Sequence, residues 1–100
     1  MDQLLVIVLT IYSRAGCHLC TEMKRAVERV VRDMDARARI EEIDIANDPD
    51  LEARYGTDIP VLLVNGKKAA KHRVTDEELT RILKARAEEA GRAGEPGKAG

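Results

Sequence analysis

The sequence predicts an α/β domain with the element order β-α-β-α-β-β-α, a mixed four-stranded sheet and helices on both faces of that sheet. Residues 4–12 form a nearly continuous apolar and β-branched run, which is typical of a central strand covered on both faces. Apolar residues recur at three- and four-residue steps over residues 19–34, as they do on one face of a helix. Residues 61–64 form another apolar run, and Asn65-Gly66 directly after it is a strong signal for a hairpin turn.

The first half of the chain supplies three further boundaries. A loop at residues 13–16 precedes the first helix, which is predicted over residues 17–35. The second strand, residues 39–45, is rich in acids, and this polarity indicates an edge of the sheet. A short helix follows: Asp48 suits its N-cap, Pro49 its first position and Gly56 its end. Because a helix joins the first two strands, they should be parallel, with a right-handed crossover.

The second half of the chain predicts a hairpin and a last helix. Strands at residues 61–64 and about 68–74 should be antiparallel around Asn65-Gly66, and lysines in the later strand would protect an exposed edge. Thr75 and Glu78 have the spacing of a capping box, so a helix should begin there and continue to about residue 90. Residues 91–100 contain no large apolar residue. We therefore predict one domain over residues 1–90 and a disordered tail over 91–100.

Composition and charge exclude several classes of protein. With 17 Lys+Arg against 18 Asp+Glu, the chain is not a strongly basic nucleic-acid binder. Phe and Trp are absent and Tyr occurs twice, which excludes an aromatic platform for stacking bases. The apolar run near the start is too short for a membrane span and lacks the positive start of a signal peptide. We therefore expect a cytoplasmic monomer that binds neither nucleic acid nor membranes.

The two cysteines, Cys17 and Cys20, lie where the first strand ends and the first helix begins. Unpaired N–H groups and the positive end of the helix dipole favour a thiolate at Cys17, so we expect a lowered pKa there. Arg14 and a protonated His18 would add positive charge. At a spacing of three residues, the two sulfurs lie on one face of the helix and can form a disulfide bond. The pattern predicts a redox dithiol in which Cys17 attacks and the deeper Cys20 resolves the mixed disulfide.

Other interpretations of the same residues stay open. The two cysteines could be inert, or the domain could be a degenerate scaffold that binds partners without turnover. They could also form half of a metal or iron–sulfur site, because a cysteine pair is a common half of such sites. Zinc prefers four ligands, and only His18 and His72 could complete the set with nitrogen, so this interpretation includes a site shared by two chains. His72 itself is interpreted as an ordinary residue of the edge strand.

Residues 12–20 (YSRAGCHLC) resemble the active-site segment of glutaredoxins, and more closely that of the small glutaredoxin-like proteins of bacteria and archaea. Asp58-Ile59-Pro60-Val61 is similar to the Thr-Val-Pro segment of that family, and the resemblance covers about residues 4–88. It implies a thioredoxin-like fold in which Pro60 is cis and faces the disulfide, while the backbone of Ile59 pairs with an extended substrate. It also implies a thiol–disulfide oxidoreductase of cell redox homeostasis, without a resident cofactor, that reduces protein disulfides or glutathione mixed disulfides.

Two departures from the glutaredoxin pattern concern the reductant. His-Leu stands between the cysteines, where glutaredoxins usually carry Pro-Tyr. Residues 73–76 (RVTD) replace the Gly-Gly element and the following Asp that help to hold glutathione. Asp76 is the expected partner of an ammonium group and the helix start that of a carboxylate, but β-branched Val74 hinders close approach. Weak use of glutathione as co-substrate is therefore expected, with a thioredoxin-reductase-type reductant as the alternative partner.

Overall fold

The computed structural model describes residues 6–93 of the 100-residue chain, with side chains to residue 87. The predicted class and element order are confirmed, with one added 3₁₀ turn. In chain order the elements are β1 (Ile7–Ser13), α1 (His18–Asp33), β2 (Ala38–Asp44), the 3₁₀ turn (Ile45–Asn47), α2 (Pro49–Tyr55), β3 (Val61–Val64), β4 (Lys67–Lys71) and α3 (Asp76–Ala93). In this part of the chain no helix is long and apolar enough to cross a membrane.

The sheet has the strand order β2-β1-β3-β4, so the two most apolar strands, β1 and β3, lie in its interior. β1 and β2 are parallel, with Ile11 opposite Glu42. β1 and β3 are antiparallel, with Tyr12 opposite Val61, and β3 and β4 form the antiparallel hairpin. The acid-rich β2 is an edge strand, as its polarity predicted.

The helices cover both faces of the sheet. Burial alternates along β1, and its inward side chains join the main core with α1 and α3. That core contains Ile7, Leu9, Ile11, Met23, Ala26, Val27, Val30, Leu62, Val64, Leu79 and Leu83. On the opposite face, the ring of Tyr12 stacks on that of Tyr55 in α2, with ring centroids 4.7 Å apart. Each fully buried Leu or Ile side chain of the main core contributes roughly 1.5–3 kcal/mol of transfer free energy.

The predicted helix caps are present. The Asp48 carboxylate accepts hydrogen bonds from the N–H groups of Asp50 and Leu51 at the start of α2. Thr75 and Glu78 form the reciprocal capping box: the Thr75 hydroxyl accepts from the Glu78 N–H at 3.1 Å, and the Glu78 carboxylate accepts from the Thr75 N–H at 2.9 Å. These bonds lower the pKa of Glu78, because they stabilise its charged form.

The turn between β3 and β4 has the geometry that Asn-Gly favours. Asn65 has a φ of 52° and Gly66 a φ of 85°, both in the left-handed region that a two-residue hairpin turn requires. The Asn65 side chain also accepts a hydrogen bond from the Val8 N–H at 2.9 Å, which ties the turn to β1.

The fourth strand is shorter than predicted. It ends at Lys71 rather than at residue 74, so the interpretation of His72 as a strand residue is wrong. His72 has a φ of 65°, and the Arg73 N–H donates to the Lys71 carbonyl at 2.7 Å, which makes a tight turn out of the sheet. The His72 N–H still donates to the Pro60 carbonyl at 2.8 Å.

Other boundaries differ by a few residues. β1 begins at Ile7, whereas residues 4 and 5 of the predicted strand lie outside the described residues. α1 begins one residue later than predicted, with Cys17 as its N-cap, and ends at Asp33. α3 continues to Ala93, beyond the predicted end near residue 90, and the rest of the predicted tail, residues 94–100, lies outside the described residues.

Candidate active site

The loop between β1 and α1 places the cysteine pair at the start of α1. Gly16 has a φ of 80°, which L side chains rarely adopt, and the Cys17 N–H donates to the Arg14 carbonyl at 3.1 Å. Cys17 is the N-cap of α1: its sulfur accepts from the Cys20 N–H at 3.1 Å and its carbonyl from the Thr21 N–H at 3.2 Å. The helix start is therefore directed at the Cys17 sulfur, where it stabilises negative charge.

Cys17 and Cys20 form a disulfide bond, with their Cα atoms 5.2 Å apart. The prediction that a spacing of three residues lets the two sulfurs bond is thus confirmed. Cys17 is partly exposed, whereas Cys20 is only 2% exposed. This difference agrees with the expectation that Cys20 lies deeper, and the assignment of attack to Cys17 and resolution to Cys20 stays a prediction.

A groove of about 350 Å³ opens beside the disulfide. Its lining combines the end of β1, the following loop, the first turn of α1 and the end of β2: Ser13, Arg14, Ala15, Gly16, Cys17, Cys20, Thr21, Glu42 and Asp44. The two acids from β2 were not predicted as site residues. The signal for them was present, because parallel strands place their carboxyl ends at the same edge of a sheet.

Glu42 is held by donors from two elements. The Ser13 hydroxyl, at the buried end of β1, donates to one of its carboxylate oxygens at 3.0 Å. The Lys24 ammonium, from α1, donates to the other at 3.2 Å. Since Ile11 lies opposite Glu42 and Ser13 opposite Asp44, both acids occupy the face of the sheet that α1 covers.

The two cations predicted near Cys17 are each paired with an acid. Arg14 lines the groove, but its guanidinium forms an ion pair with Glu52 of α2. Gly56 leaves room for that pair, because a β-carbon at position 56 would collide with Glu52. His18 is 84% exposed and lies 2.8 Å from the Glu22 carboxylate, one helical turn further on. The positive charge near Cys17 therefore comes mainly from the helix start.

Ile59 and Pro60 lie at the same end of the sheet as the cysteine loop, because Tyr12 at the end of β1 is opposite Val61. The Ile59–Pro60 peptide bond is cis, the isomer that the resemblance implies. Pro60 is fully buried and Ile59 is partly exposed. Pairing of a substrate with the Ile59 backbone stays a prediction.

Asp76 lies in a second groove, of about 410 Å³, between α1 and the segment that leads into α3. Arg29 donates two hydrogen bonds to its carboxylate, at 2.7 and 2.8 Å. These bonds lower the pKa of Asp76 and raise that of Arg29. Leu19, which stands between the cysteines, also lines this second groove. Of the predicted site residues, Arg14 therefore lies in the cysteine groove, and Asp76 lies in the groove on the other side of the Cys-His-Leu-Cys segment.

A metal site is not preformed by the described side chains. Among them, no three His, Cys, Asp or Glu residues gather closely enough to hold an ion. A metal or iron–sulfur site would therefore need ligands beyond the described side chains of one chain.

Comparisons with known proteins agree with this fold. A model of a glutaredoxin-like domain (DUF836) matches residues 8–84. The chain is similar to the structural genomics target protein XcR50 from X. campestris, with 27% identity, coverage of 77% of this chain and 96% of that chain, and a TM-score of 0.66. Chloroplastic thioredoxin z is 18% identical, with coverage of 84% and 80% and a TM-score of 0.64. A mutant thioredoxin from Halobacterium salinarum is 20% identical, with coverage of 79% and 73% and a TM-score of 0.56.

The fold is thus thioredoxin-like. A cysteine pair three residues apart at the start of a helix, in this fold, supports a redox function of the thiols in general.

Proposed function

The chain belongs to the glutaredoxin-like family, and from this premise we propose that it is a thiol–disulfide oxidoreductase that reduces protein disulfides with Cys17 and Cys20. The observation that carries the proposal is the unequal exposure of the two sulfurs. Cys17 is partly exposed and is the N-cap of α1, whereas Cys20 is buried within bonding distance of the Cys17 sulfur. One sulfur can therefore meet a substrate and the other can act only on the first.

The reaction proceeds by two thiol–disulfide exchanges. The Cys17 thiolate attacks one sulfur of the substrate disulfide, so that a mixed disulfide forms and one substrate thiolate leaves and takes up a proton. The Cys20 thiol then loses its proton and attacks the Cys17 sulfur, which releases the second substrate thiolate. The substrate has gained two electrons, and the protein is left with the Cys17–Cys20 disulfide. A two-electron reductant must then restore the dithiol.

For this reductant we propose a thioredoxin-reductase-type system over glutathione. Arg29 occupies both oxygens of Asp76, the carboxylate expected to meet the ammonium group of glutathione. Val74, which is partly buried against the core, occupies the position where glycine would let glutathione approach the backbone closely. An extended protein segment depends less on these two positions, because backbone pairing beside Ile59 would supply its hydrogen bonds. Arg14 and His18, at the rim of the site, are the proposed side-chain contacts of such a substrate.

The test supplies the oxidised protein with each reductant in turn. Consumption of NADPH is followed with either thioredoxin reductase or glutathione plus glutathione reductase, with a disulfide-bonded protein as substrate. We expect faster turnover with thioredoxin reductase, and loss of turnover in Cys17→Ser. Robust turnover with glutathione alone would reverse the choice of reductant. Failure of both systems to reduce the disulfide would reject the oxidoreductase proposal.

The same preparation tests the other interpretations. Visible absorbance or stoichiometric metal in freshly purified protein would favour a metal or iron–sulfur site shared by two chains. Absence of any dithiol–disulfide cycle in a thiol titration would favour a scaffold. We propose that the protein works as a cytoplasmic monomer without a resident cofactor, and sedimentation of the reduced and oxidised forms tests its oligomeric state.

A further inference from the structure

The resolving step needs a proton acceptor that the two cysteines do not supply. Cys20 is 2% exposed, and burial disfavours the charged thiolate that must attack Cys17. His18, which is 84% exposed and lies 2.8 Å from the Glu22 carboxylate, is not among the residues that line the cysteine groove. The acceptor must therefore come from another element that reaches the cysteine groove.

Two carboxylates line that groove together with Cys17 and Cys20. Asp44 is committed to the backbone, because its side chain accepts from the Ala46 N–H at 2.9 Å and caps the 3₁₀ turn. Glu42 is bound by side chains instead. The Ser13 hydroxyl donates to one of its oxygens and the Lys24 ammonium to the other, and these two bonds fix the orientation of the carboxylate.

We propose that Glu42 accepts the proton of Cys20 during the resolving step, an inference that rests on the proposed dithiol function. Lys24 is four residues after Cys20, so the ammonium that holds Glu42 projects from the same face of α1 as the Cys20 sulfur. Because Glu42 and Cys20 line the same groove, the proposed transfer runs across it, directly or through one water.

In atomic terms, Cys20–SH passes its proton to the Glu42 carboxylate, and the resulting thiolate attacks the Cys17 sulfur of the mixed disulfide. The Cys17–Cys20 bond forms, the bond from Cys17 to the substrate sulfur breaks, and the leaving thiolate takes up the proton from Glu42. Both electrons of the new S–S bond come from Cys20, and the leaving sulfur keeps the pair from the old one. Glu42 ends as a carboxylate, ready for another cycle.

The charged groups around Glu42 come from each element that packs against it. Lys24 faces it from α1, Arg14 from the β1–α1 loop, where it is paired with Glu52, and Asp44 from the same strand. Ser13 faces it from β1 as an uncharged donor. Lys24 is the cation in contact with the carboxylate, at 3.2 Å.

The experiment separates the two exchanges by using less dithiobis-nitrobenzoate than reduced protein. Attack by Cys17 releases one equivalent of nitrothiobenzoate, and attack by Cys20 on the resulting mixed disulfide releases a second. Glu42→Gln keeps the size and a hydrogen-bond acceptor but cannot take a proton. We expect an unchanged first phase and a second phase slower by at least about tenfold near neutral pH, a conservative share of the usual effect of a general base.

The pH dependence and the control variants distinguish a proton acceptor from a residue that acts only through its negative charge. The deficit of Glu42→Gln should shrink at alkaline pH, where hydroxide deprotonates Cys20 without help, and Glu42→Asp should recover part of the rate. If Glu42 acted merely as a negative charge, its removal would favour the thiolate and speed the second phase. Glu41→Gln is the matched control, because Glu41 lies on the opposite face of β2 and pairs with Arg39 at 3.3 Å.

Three outcomes would overturn the inference: a second phase that is unchanged or faster in Glu42→Gln, an equal slowing of both phases, or an equal effect in Glu41→Gln. Failure of the proposed function looks different. In that case the wild-type protein itself would release nitrothiobenzoate no faster than free cysteine, or would release no second equivalent.

Discussion

When reduced protein meets a limiting amount of iodoacetamide near neutral pH, we expect Cys17 to be alkylated at least about ten times faster than Cys20. The two thiols lie within one helical turn of each other, so the solvent conditions and the stability of the domain are the same for both. What differs is the electrostatic environment and the access of each sulfur, and the structure gives a magnitude for both.

The start of α1 stabilises the Cys17 thiolate by about 1–2 kcal/mol, which raises its population about five- to thirtyfold. The Cys20 N–H, 3.1 Å from the Cys17 sulfur, is one of the groups responsible. A more stable thiolate is also a weaker nucleophile, with a Brønsted coefficient of about 0.4–0.5, so a rate advantage of about two- to eightfold remains. Burial supplies the rest, because the reagent must reach a Cys20 sulfur in a residue that is 2% exposed.

Peptide mapping by mass spectrometry measures the ratio of alkylation at the two positions. The control is the same reaction in concentrated urea, where both thiols are exposed and the ratio should approach one. The variants test the roles separately: Cys20→Ser should accumulate a mixed disulfide with substrate, and Cys17→Ser should capture almost none. A native ratio near one, preferential alkylation of Cys20, or equal capture by the two variants would refute the assignment of roles.

Three other predictions concern the second groove and the core. Val74→Gly should raise turnover in a glutathione-coupled assay, because it removes a side chain at a position of close approach; no gain would contradict the steric argument. Leu79→Ala should cost about 2–5 kcal/mol in urea unfolding, since Leu79 is fully buried, whereas Ile43→Ala, at a site 36% exposed, should cost less than about 1 kcal/mol. Arg29 lowers the pKa of Asp76, so the stabilisation is present above the unfolded pKa and is lost as pH falls through the lowered folded value. Asp76→Asn should therefore be less stable than wild type near neutral pH and converge with it in acid; a difference independent of pH would contradict this.

Local patterns predicted the elements and the cysteine pair because those features depend on neighbours in the chain. The alternation in β1, the Thr75–Glu78 capping box and the Asn65-Gly66 turn each involve residues within a few positions of one another. The same holds for the cysteines, whose spacing and place at the helix start already specify the disulfide.

The parts that were missed depend on contacts between distant segments. Arg14 pairs with Glu52, 38 positions away, and Arg29 pairs with Asp76, 47 positions away. Neither ion pair can be predicted from the residues next to it in the sequence. Glu42 lies at the cysteine groove because of the register in which β2 pairs with β1 and because α1 packs over both strands. The early end of β4 has another cause: the left-handed backbone at His72 is set by the turn towards α3, and no Gly or Asn marks that position.

The hairpin leaves β4 with one neighbouring strand in the described part of the chain. β4 carries the exposed lysines Lys67 and Lys68, together with Lys71, whose ammonium lies 3.6 Å from the Asp58 carboxylate. Two such edges that met would set like charges about 5 Å apart across the new strand pair, which opposes edge-to-edge aggregation. That protection is purely electrostatic, and the screening length falls from about 10 Å at 0.1 M salt to about 3 Å at 1 M. The colloidal stability of the protein should therefore decline in concentrated salt, and acylation of these lysines should have the same effect at low salt.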